Sequence, residues 1–215
     1  PATMRNSLYR FNELSVLWTA LHLVDDERRI LISVAQEPEK TMRWFKEALE
    51  LPTWASLPPF IVPAGRRRER FNEARAVTVD YCGPNSYEVA LLDRGIATSH
   101  GQMPQRLRRL MTEMIDQRIC PITVATATLT EGVNLPFDII FLTSLKRRSF
   151  DSTTRRPIIT PLSTAEFRNL AGRAGRPGAS KGMEGMTLVA IPRSVSATAR
   201  TMRVTQQKQR RELIA

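Results

Sequence analysis

The sequence has few of the residues that build metal sites or disulfide frameworks. Its 215 residues include two cysteines, Cys82 and Cys120, and two histidines. The cysteines lie far apart, and no paired histidine or cysteine spacing surrounds them. We therefore expect no metal site and no disulfide, and we expect a reducing, intracellular setting such as the cytoplasm.

Long apolar runs are also absent. No run approaches the roughly 20 residues that a helix needs to span a bilayer, and the N-terminus lacks the charged-then-apolar pattern of a signal peptide. We expect a soluble protein with no membrane partner. Because the chain begins with Pro1 instead of methionine, we interpret it as a processed product or as a piece of a longer protein.

Acidic residues are too few to balance the basic ones. The 32 lysines and arginines exceed the 21 aspartates and glutamates, and the formal net charge is +11. Such a charge favours a polyanionic partner through a long-range attractive field. Nucleic acid is the first expectation and an anionic membrane surface the second. A basic protein that is simply soluble also fits the charge.

Short apolar, β-branched runs alternate with amphipathic helical patterns along most of the chain. Strands are predicted at 30–34, 96–97, 122–125, 139–142 and 187–191, and helices at 7–23, 38–50, 86–94, 104–118 and from about 164. This alternation predicts an α/β fold, a parallel sheet with helices on both faces, whose ligands bind beyond the carboxyl ends of the strands.

Two segments fall outside this alternation. Residues 51–75 hold four prolines and a basic cluster, and we predict an irregular insertion there. The members of the cluster are Arg66, Arg67, Arg68 and Arg70. Residues 193–215 are polar and basic, and we interpret them as a C-terminal extension, with a helix that docks on structure outside this chain as one interpretation.

Small and hydroxyl-bearing residues follow the strand predicted at 122–125. From Ala125 to Phe137 the chain reads A-T-A-T-L-T-E-G-V-N-L-P-F. Small residues expose backbone N–H groups, and the hydroxyls of Thr126, Thr128 and Thr130 add donors that suit phosphate oxygens without base preference. An ordinary turn, in which the threonines satisfy local backbone groups, explains the pattern equally well.

A second polar segment is rich in glycine and arginine. From Ser163 to Gly178 the chain reads S-T-A-E-F-R-N-L-A-G-R-A-G-R-P-G. Ser163 with Glu166 forms a capping box, which predicts a helix that begins at about Thr164 and is stopped by Pro177 and the glycine after it.

Two arginines of this segment form a candidate anion site. Arg173 and Arg176 stand three residues apart, so we expect them to share a helical face, flanked by Gly172 and Gly175. Two guanidiniums on a glycine-lined face suit a triphosphate, because each can fork onto phosphate oxygens. A solvated basic face is the simpler alternative.

These two segments, in this order and about forty residues apart, resemble motifs V and VI of superfamily 2 helicases. The wording T-L-T-E-G-V-N-L-P and G-R-A-G-R-P-G looks most like the Ski-type DExH branch. Upstream, G-I-A-T-S-H-G-Q-M-P from Gly95 to Pro104 resembles motif IVa, in wording closer to bacterial branch-migration and transcription-repair translocases, and the strand at 30–36 stands where motif IV is expected. The resemblance covers about residues 29–192 and implies a RecA-like helicase domain.

The resemblance implies roles for single residues. Arg176 would be the arginine finger that reaches the γ-phosphate, with Arg173 beside it. Gly132 and Asn134 would line the nucleotide or couple it to motif VI, and Thr126 would hold a nucleic-acid phosphate.

The resemblance also implies roles for residues at positions that match the family motifs less closely. Thr128 and His100 would lie near the nucleic-acid backbone, although a lone histidine is more often structural. Asn169 stands where a glutamine usually opens motif VI, so it would contact the nucleotide or a neighbouring motif, with Gly172 nearby. Ser99 occupies the place where the Ski-type branch often has a second histidine.

The motifs of the first motor domain are missing. The chain has no G-x-x-x-x-G-K-[ST] phosphate loop and no D-E-x-H or D-E-A-D segment. The resemblance implies that ATP and Mg²⁺ are held by a first RecA-like domain outside this chain, so we expect this chain alone not to hydrolyse ATP. Residues 1–28 would be a helix or linker from that domain, residues 29–192 the second RecA-like domain, and residues 193–215 the extension.

The expected partners are single-stranded DNA or RNA, the first RecA-like domain and another protein. We expect half of an ATP-dependent helicase or translocase, moving 3′ to 5′ as the resemblance implies. Two other classes stay open. One is a non-catalytic, helicase-like module that docks nucleic acid or protein, and the other is an unrelated basic α/β interaction protein.

Overall fold

The computed structural model describes residues 2–25, 27–34, 38–54, 57, 59–101, 103–126, 137–151, 153–154, 156–175, 185–191 and 197–214. The helices are α1 (Ala2–His22), α2 (Pro38–Leu49), α3 (Arg66–Cys82), α4 (Tyr87–Leu92), α5 (Gln105–Asp116), α6 (Thr164–Ala171) and α7 (Ala197–Ile214), with a 3₁₀ helix at Pro52–Trp54. The strands are β1 (Ile30–Val34), β2 (Ile96–Ser99), β3 (Ile122–Thr126), β4 (Ile139–Leu142), β5 (Lys146–Phe150), β6 (Pro157–Pro161) and β7 (Met186–Val189).

The central sheet is parallel, with the strand order β2-β3-β1-β4-β7. Its middle strand β1 aligns Ile30 with Ile122 of β3 on one side and with Ile139 of β4 on the other. The strands β5 and β6 form a separate antiparallel pair. This second pair was not predicted from the sequence.

Each face of the central sheet carries its own hydrophobic core. Side chains alternate along a strand, so Ile30 and Ile32 of β1 point to one face and Leu31 points to the other. The first face packs against α1 and α2, through residues such as Leu17 and Phe45. The opposite face packs against α3, α5, α6 and α7. These two cores confirm the predicted α/β fold of the RecA-like type, with helices on both faces.

The helix α3 corrects the interpretation of residues 51–75. An irregular insertion was expected there, but residues from Arg66 onward are helical. Phe71, Ala74 and Val77 recur at helical spacing and are buried, and they belong to the same core as α5. The arginines and prolines before them hid this short apolar face. The left-handed Gly65, with φ 66°, precedes the helix.

The terminal helices pack on the sheet of this chain. In α1, Leu17 and Ala20 are fully buried, and the amide of Asn12 donates hydrogen bonds to the carbonyls of Thr143 and Ala190 at 3.3 Å each. In the extension, Leu213 of α7 joins the core next to α6. The interpretation that this helix docks on outside structure therefore does not hold for its buried face.

Among the helices of the described residues, we find none that is both long enough and apolar enough to cross a bilayer.

Candidate nucleotide and nucleic-acid sites

The carboxyl edge of the sheet brings together two of the predicted nucleic-acid residues. Thr126 ends β3, and His100 directly follows β2. Ser99 pairs with Ala125, so Thr126 and His100 end neighbouring parallel strands, which lie about 4.8 Å apart. Thr128, the third predicted residue, lies outside the described residues.

His100 is held from within the protein. Its exposed fraction is 7%, and its Nε2 lies 3.4 Å from a carboxylate oxygen of Glu88 on α4. The hydrogen bond from His100 is the largest of the influences that lower the pKa of Glu88. A carboxylate that is hydrogen-bonded to one ring nitrogen fixes the orientation of the imidazole ring. This contact favours a positioning role for His100, whereas Thr126 is partly exposed.

The two helicase-like segments meet at the opposite, amino edge of the sheet. Phe137, the last residue of the 125–137 segment, donates its N–H to the carbonyl of Arg173 at 3.1 Å and accepts from the N–H of Gly175 at 2.9 Å. Phe137 and Ala174 thus form a parallel bridge just before β4 begins. The end of the motif V-like segment is therefore hydrogen-bonded directly to the motif VI-like segment.

Glycine is required where this bridge passes β7. Gly175 has φ 71°, in the left-handed region that glycine adopts without strain. A Cβ built on Gly185, just before β7, would overlap the backbone of Ala174 and Gly175. Gly175 was predicted to flank Arg173, and the need for glycine at position 185 was not foreseen from the sequence.

Arg173 does not lie on a helical face. The capping box predicted at Ser163 is present, with the Ser163 N–H donating to the Glu166 carboxylate at 2.8 Å, and α6 begins at Thr164 as expected. However, α6 ends at Ala171, and the chain then turns to pair with Phe137. The expected shared face with Arg176 is therefore wrong for Arg173, which is 4% exposed.

The remaining nucleotide residues fall into two groups. Asn169, near the end of α6, and Gly172, which caps it, are exposed close to the bridge. Gly132, Asn134 and Arg176 lie outside the described residues, so their predicted roles stay predictions.

Among the described residues, the predicted nucleotide residues and the predicted nucleic-acid residues lie at opposite edges of the sheet. The strand β3 has five residues, and at 3.3 Å per residue it separates the two edges by roughly 13 Å. The 125–137 segment begins at the carboxyl edge and ends at the amino edge. Ligands were expected beyond the carboxyl ends, and the bridge with Arg173 and Gly175 shows that the amino edge also presents candidate residues.

A buried pair at the amino edge was not foreseen from the sequence. The backbone N–H of Arg29 donates to the Asp138 carboxylate at 2.7 Å, and the Asp138 N–H donates back to the Arg29 carbonyl at 2.9 Å. Burial is the largest influence that lowers the pKa of the Arg29 guanidinium, followed by repulsion from Arg118. An acidic residue directly before an apolar strand was the available signal. The pair joins the start of β1 to the start of β4.

The class of protein that this fold defines is a RecA-like α/β domain, and comparisons with known proteins relate it to helicases. ATP-dependent DNA helicase Hel308 of Aeropyrum pernix is 36% identical over 89 residues, 41% of this chain and 11% of the relative. The antiviral helicase SKI2 of Saccharomyces cerevisiae is 30% identical over 89 residues, 41% of this chain and 6% of the relative.

A third relative matches a longer part of the chain. The Hachiman protein HamB of Bacillus cereus is 30% identical over 118 residues, 55% of this chain and 10% of the relative. No protein-family model matches the chain. The matches span about a tenth of the length of these relatives or less. They support a helicase-related function, and the Hel308 relative is an ATP-dependent DNA helicase.

Proposed function

We propose that this chain is the second motor domain of an ATP-dependent superfamily 2 helicase or translocase, of the Ski-type branch. The single observation that carries the proposal is the bridge between Phe137 and Ala174. It joins the two helicase-like segments by backbone hydrogen bonds, as a domain needs if nucleotide state is to be coupled to nucleic-acid contacts. The helicase relatives support the same conclusion.

The nucleotide would lie at the amino edge, between this domain and a first motor domain outside the chain. Arg176 would be the arginine finger, and the buried Arg173 would hold the segment in position next to Phe137. Gly132, Asn134, Asn169 and Gly172 would line the nucleotide. Guanidinium, amide and backbone N–H groups are donors that suit phosphate oxygens. Bound ATP with Mg²⁺ supplies the phosphoryl-transfer chemistry.

The nucleic acid would lie at the carboxyl edge. The hydroxyls of Thr126 and Thr128 would donate to backbone phosphates of a single strand, and His100, held by Glu88, would position the loop after β2. Such contacts do not distinguish between bases, so the bound strand could be DNA or RNA. In this proposal residues 29–192 form the motor domain, residues 1–28 lead from the first domain, residues 193–215 follow it, and the protein works inside the cell.

The test of the proposal is ATP hydrolysis by the complete protein, with Arg176→Ala compared against Arg109→Ala. Arg109 on α5 is a matched control, because its side chain is 83% exposed and belongs to neither helicase-like segment. We expect Arg176→Ala to lower kcat by about 10³-fold or more while nucleotide binding persists, on the scale of arginine fingers in GTPases. The Arg109→Ala control should hydrolyse ATP at the rate of the unchanged protein.

The chain alone provides a second readout. Because the sequence lacks the phosphate loop and the magnesium carboxylates, we expect no nucleic-acid-stimulated hydrolysis from it. Normal turnover by Arg176→Ala in the complete protein would remove the motor role. It would favour a helicase-like module that docks nucleic acid or protein without catalysis.

A further inference from the structure

A cavity of about 590 Å³ opens at the amino ends of β1 and β3. Its walls come from the turn between α1 and β1, the proline-rich segment before α3, and the turn between α5 and β3. The Phe137–Ala174 bridge lies at the amino end of β4, the strand next to β1 on the side away from β3. No described residue of the helicase-like segments lines the cavity.

Arginines dominate the charge of this cavity. Arg28, Arg29, Arg67, Arg94 and Arg118 all line it. Among its described lining residues, Asp25 is the one carboxylate. That carboxylate is already engaged, because it accepts the N–H groups of Glu27 and Arg28 and lies 3.0 Å from the Arg28 guanidinium.

Carboxylates next to the cavity act on one of its arginines. Asp116 and Asp138 act on the Arg29 guanidinium and counteract the lowering of its pKa by burial and by Arg118. Arg94 donates to the neutral carbonyl of Leu49 at 3.1 Å. Five arginines against one carboxylate among the described lining residues give this wall an excess of positive charge, which attracts an anion.

Arg118 occupies a backbone position that disfavours it. It follows α5 with φ 55°, and its N–H donates to the Ile115 carbonyl while the N–H of Ile119 donates to Met114 at 2.8 Å. This double hydrogen bond is the Schellman ending of a helix, where glycine is the usual residue. The left-handed region is unfavourable for an arginine, because its Cβ comes close to the following carbonyl oxygen. This unfavourable backbone conformation occurs at a residue that lines the cavity.

Apolar side chains complete the wall. Ile61 is 79% exposed and Val24 is 37% exposed, and both line the cavity together with Pro59 and Pro63. Guanidiniums beside an apolar surface suit an anion with an organic, planar part. The volume lies within the range of about 300–1,000 Å³ that small-ligand sites occupy.

We propose that this cavity binds the phosphate of a nucleotide-sized ligand, with the arginines around the phosphate and the apolar wall beside the base or sugar. The source of the phosphate is a free nucleotide or the phosphorylated end of a nucleic-acid strand, which carry the same chemistry. The described residues of the site lie outside the helicase-like segments, so the proposal does not depend on the motor role.

The test is binding measured by titration calorimetry on the chain with three probes. They are a nucleoside 5′-monophosphate, a short single strand with a 5′-phosphate, and the same strand without it. A free-nucleotide site binds the monophosphate and does not distinguish the two strands. A strand-end site binds the phosphorylated strand more tightly than the other strand.

Variants separate the cavity from the rest of the basic surface. Arg118→Gly keeps the helix ending and should hold or raise Tm, while it weakens binding about tenfold. Arg67→Ala, in the exposed first turn of α3, should also weaken binding. Arg106→Gln removes an equal charge from exposed α5 and should leave binding unchanged.

Three results would overturn the proposal. The first is that no probe shows saturable binding, and the second is that the cavity variants bind as well as Arg106→Gln. The third is that binding survives in both cavity variants but is lost in Arg176→Ala, which would assign the ligand to the proposed motor site. Binding that Arg176→Ala leaves intact supports the cavity whether or not the motor role is correct.

Discussion

The two cysteines differ in their surroundings although their chemistry is the same. Cys120 is fully buried, and burial raises its pKa to about 12. Cys82 is partly buried at the end of α3, where burial first and the charge of Glu88 second raise its pKa. The thiolate is the reactive form, so the thiol of Cys120 should be inert while the protein is folded.

We therefore expect a thiol reagent to modify Cys82 slowly and Cys120 only after unfolding. Mass spectrometry of the folded chain over time, with and without denaturant, measures both rates. The variant Cys82→Ser is the control, and it should take up no label in the folded state. Equal labelling of both cysteines without denaturant would contradict the burial of Cys120.

Arg173 illustrates, at the same scale, how local spacing misleads. Counting residues placed it three before Arg176 on one helix. The chain instead leaves α6 at Ala171, because Arg173 and Gly175 form backbone hydrogen bonds with Phe137, thirty-six residues earlier than Arg173 in the sequence. A local pattern contains no information about a strand partner at that distance.

At the scale of elements, the contact between α1 and α2 contains a pH-sensitive group. The Thr41 hydroxyl of α2 donates to the Glu13 carboxylate of α1 at 2.8 Å. Burial raises the pKa of Glu13 to about 7, and this effect exceeds the opposing influences of Thr41 and Lys40. The carboxyl thus binds a proton more tightly in the folded state than in the unfolded state, where its pKa is about 4.5.

This difference fixes the sign of a pH effect. The folded state holds more protons between about pH 4.5 and 7, so the stability from this group is present below that range and is lost as pH rises through it. The full loss is at most about 3 kcal/mol. Urea unfolding at pH 5 and pH 7.5 should show a fall in the free energy of unfolding that Glu13→Gln largely removes.

Glu47→Gln is the matched control for this measurement, since Glu47 is an exposed residue of α2 that pairs with Arg10 at the surface. We expect the control to keep the pH dependence of the unchanged protein. If Glu13→Gln shows the same fall as the control, Glu13 is not the titrating group.

Elements also show where sequence patterns failed. The helix α3 was missed because an arginine cluster begins it. The β5–β6 pair was missed because it lies in a basic, polar stretch in which apolar and polar residues do not clearly alternate. Helices α2 and α5 and the start of α6 were predicted within about two residues, because each has an apolar stripe or a cap that is local in sequence. The end of α6 was not, since the helix stops at Ala171, well before the predicted stop at Pro177. The missed elements lack such a local signal, although β5 and β6 are close in sequence.

At the scale of the whole molecule, the proposed nucleic-acid contact predicts a salt dependence. Affinity for a labelled single strand should fall steeply with salt, by about 0.7 in log affinity per log salt for each phosphate neutralised. Thr126→Val should weaken binding by about threefold to tenfold, because one uncharged hydrogen bond is lost. Its salt slope should stay nearly unchanged, since no charge is removed.

The measurement is a salt series on the complete protein, with and without a non-hydrolysable ATP analogue. Thr205→Val on α7 serves as the control, because its exposed hydroxyl bonds its own helix at Thr201. Affinity that ignores salt, or that depends strongly on base sequence, would argue against a motor that follows the backbone.

Much of the fold was determined by sequence alone. Buried parallel strands are continuous apolar runs, so β1, β3 and β4 could be located from composition within a few residues. The capping box at Ser163 and the apolar stripe of α5 are equally local. The order of the helicase-like segments also needed no structure, because it is a property of the chain.

The tertiary structure alone decided which residues meet. The strand order places the starts of β1, β3 and β4 side by side, so Arg29 contacts Asp138, and Arg118 lies near Arg29 although 89 positions separate the two arginines. It also divides the candidate residues between two edges, with Thr126 at one and Arg173 at the other. Long-range contacts arise when the two cores bury the sheet faces. No short window of sequence records which distant strands will then be neighbours.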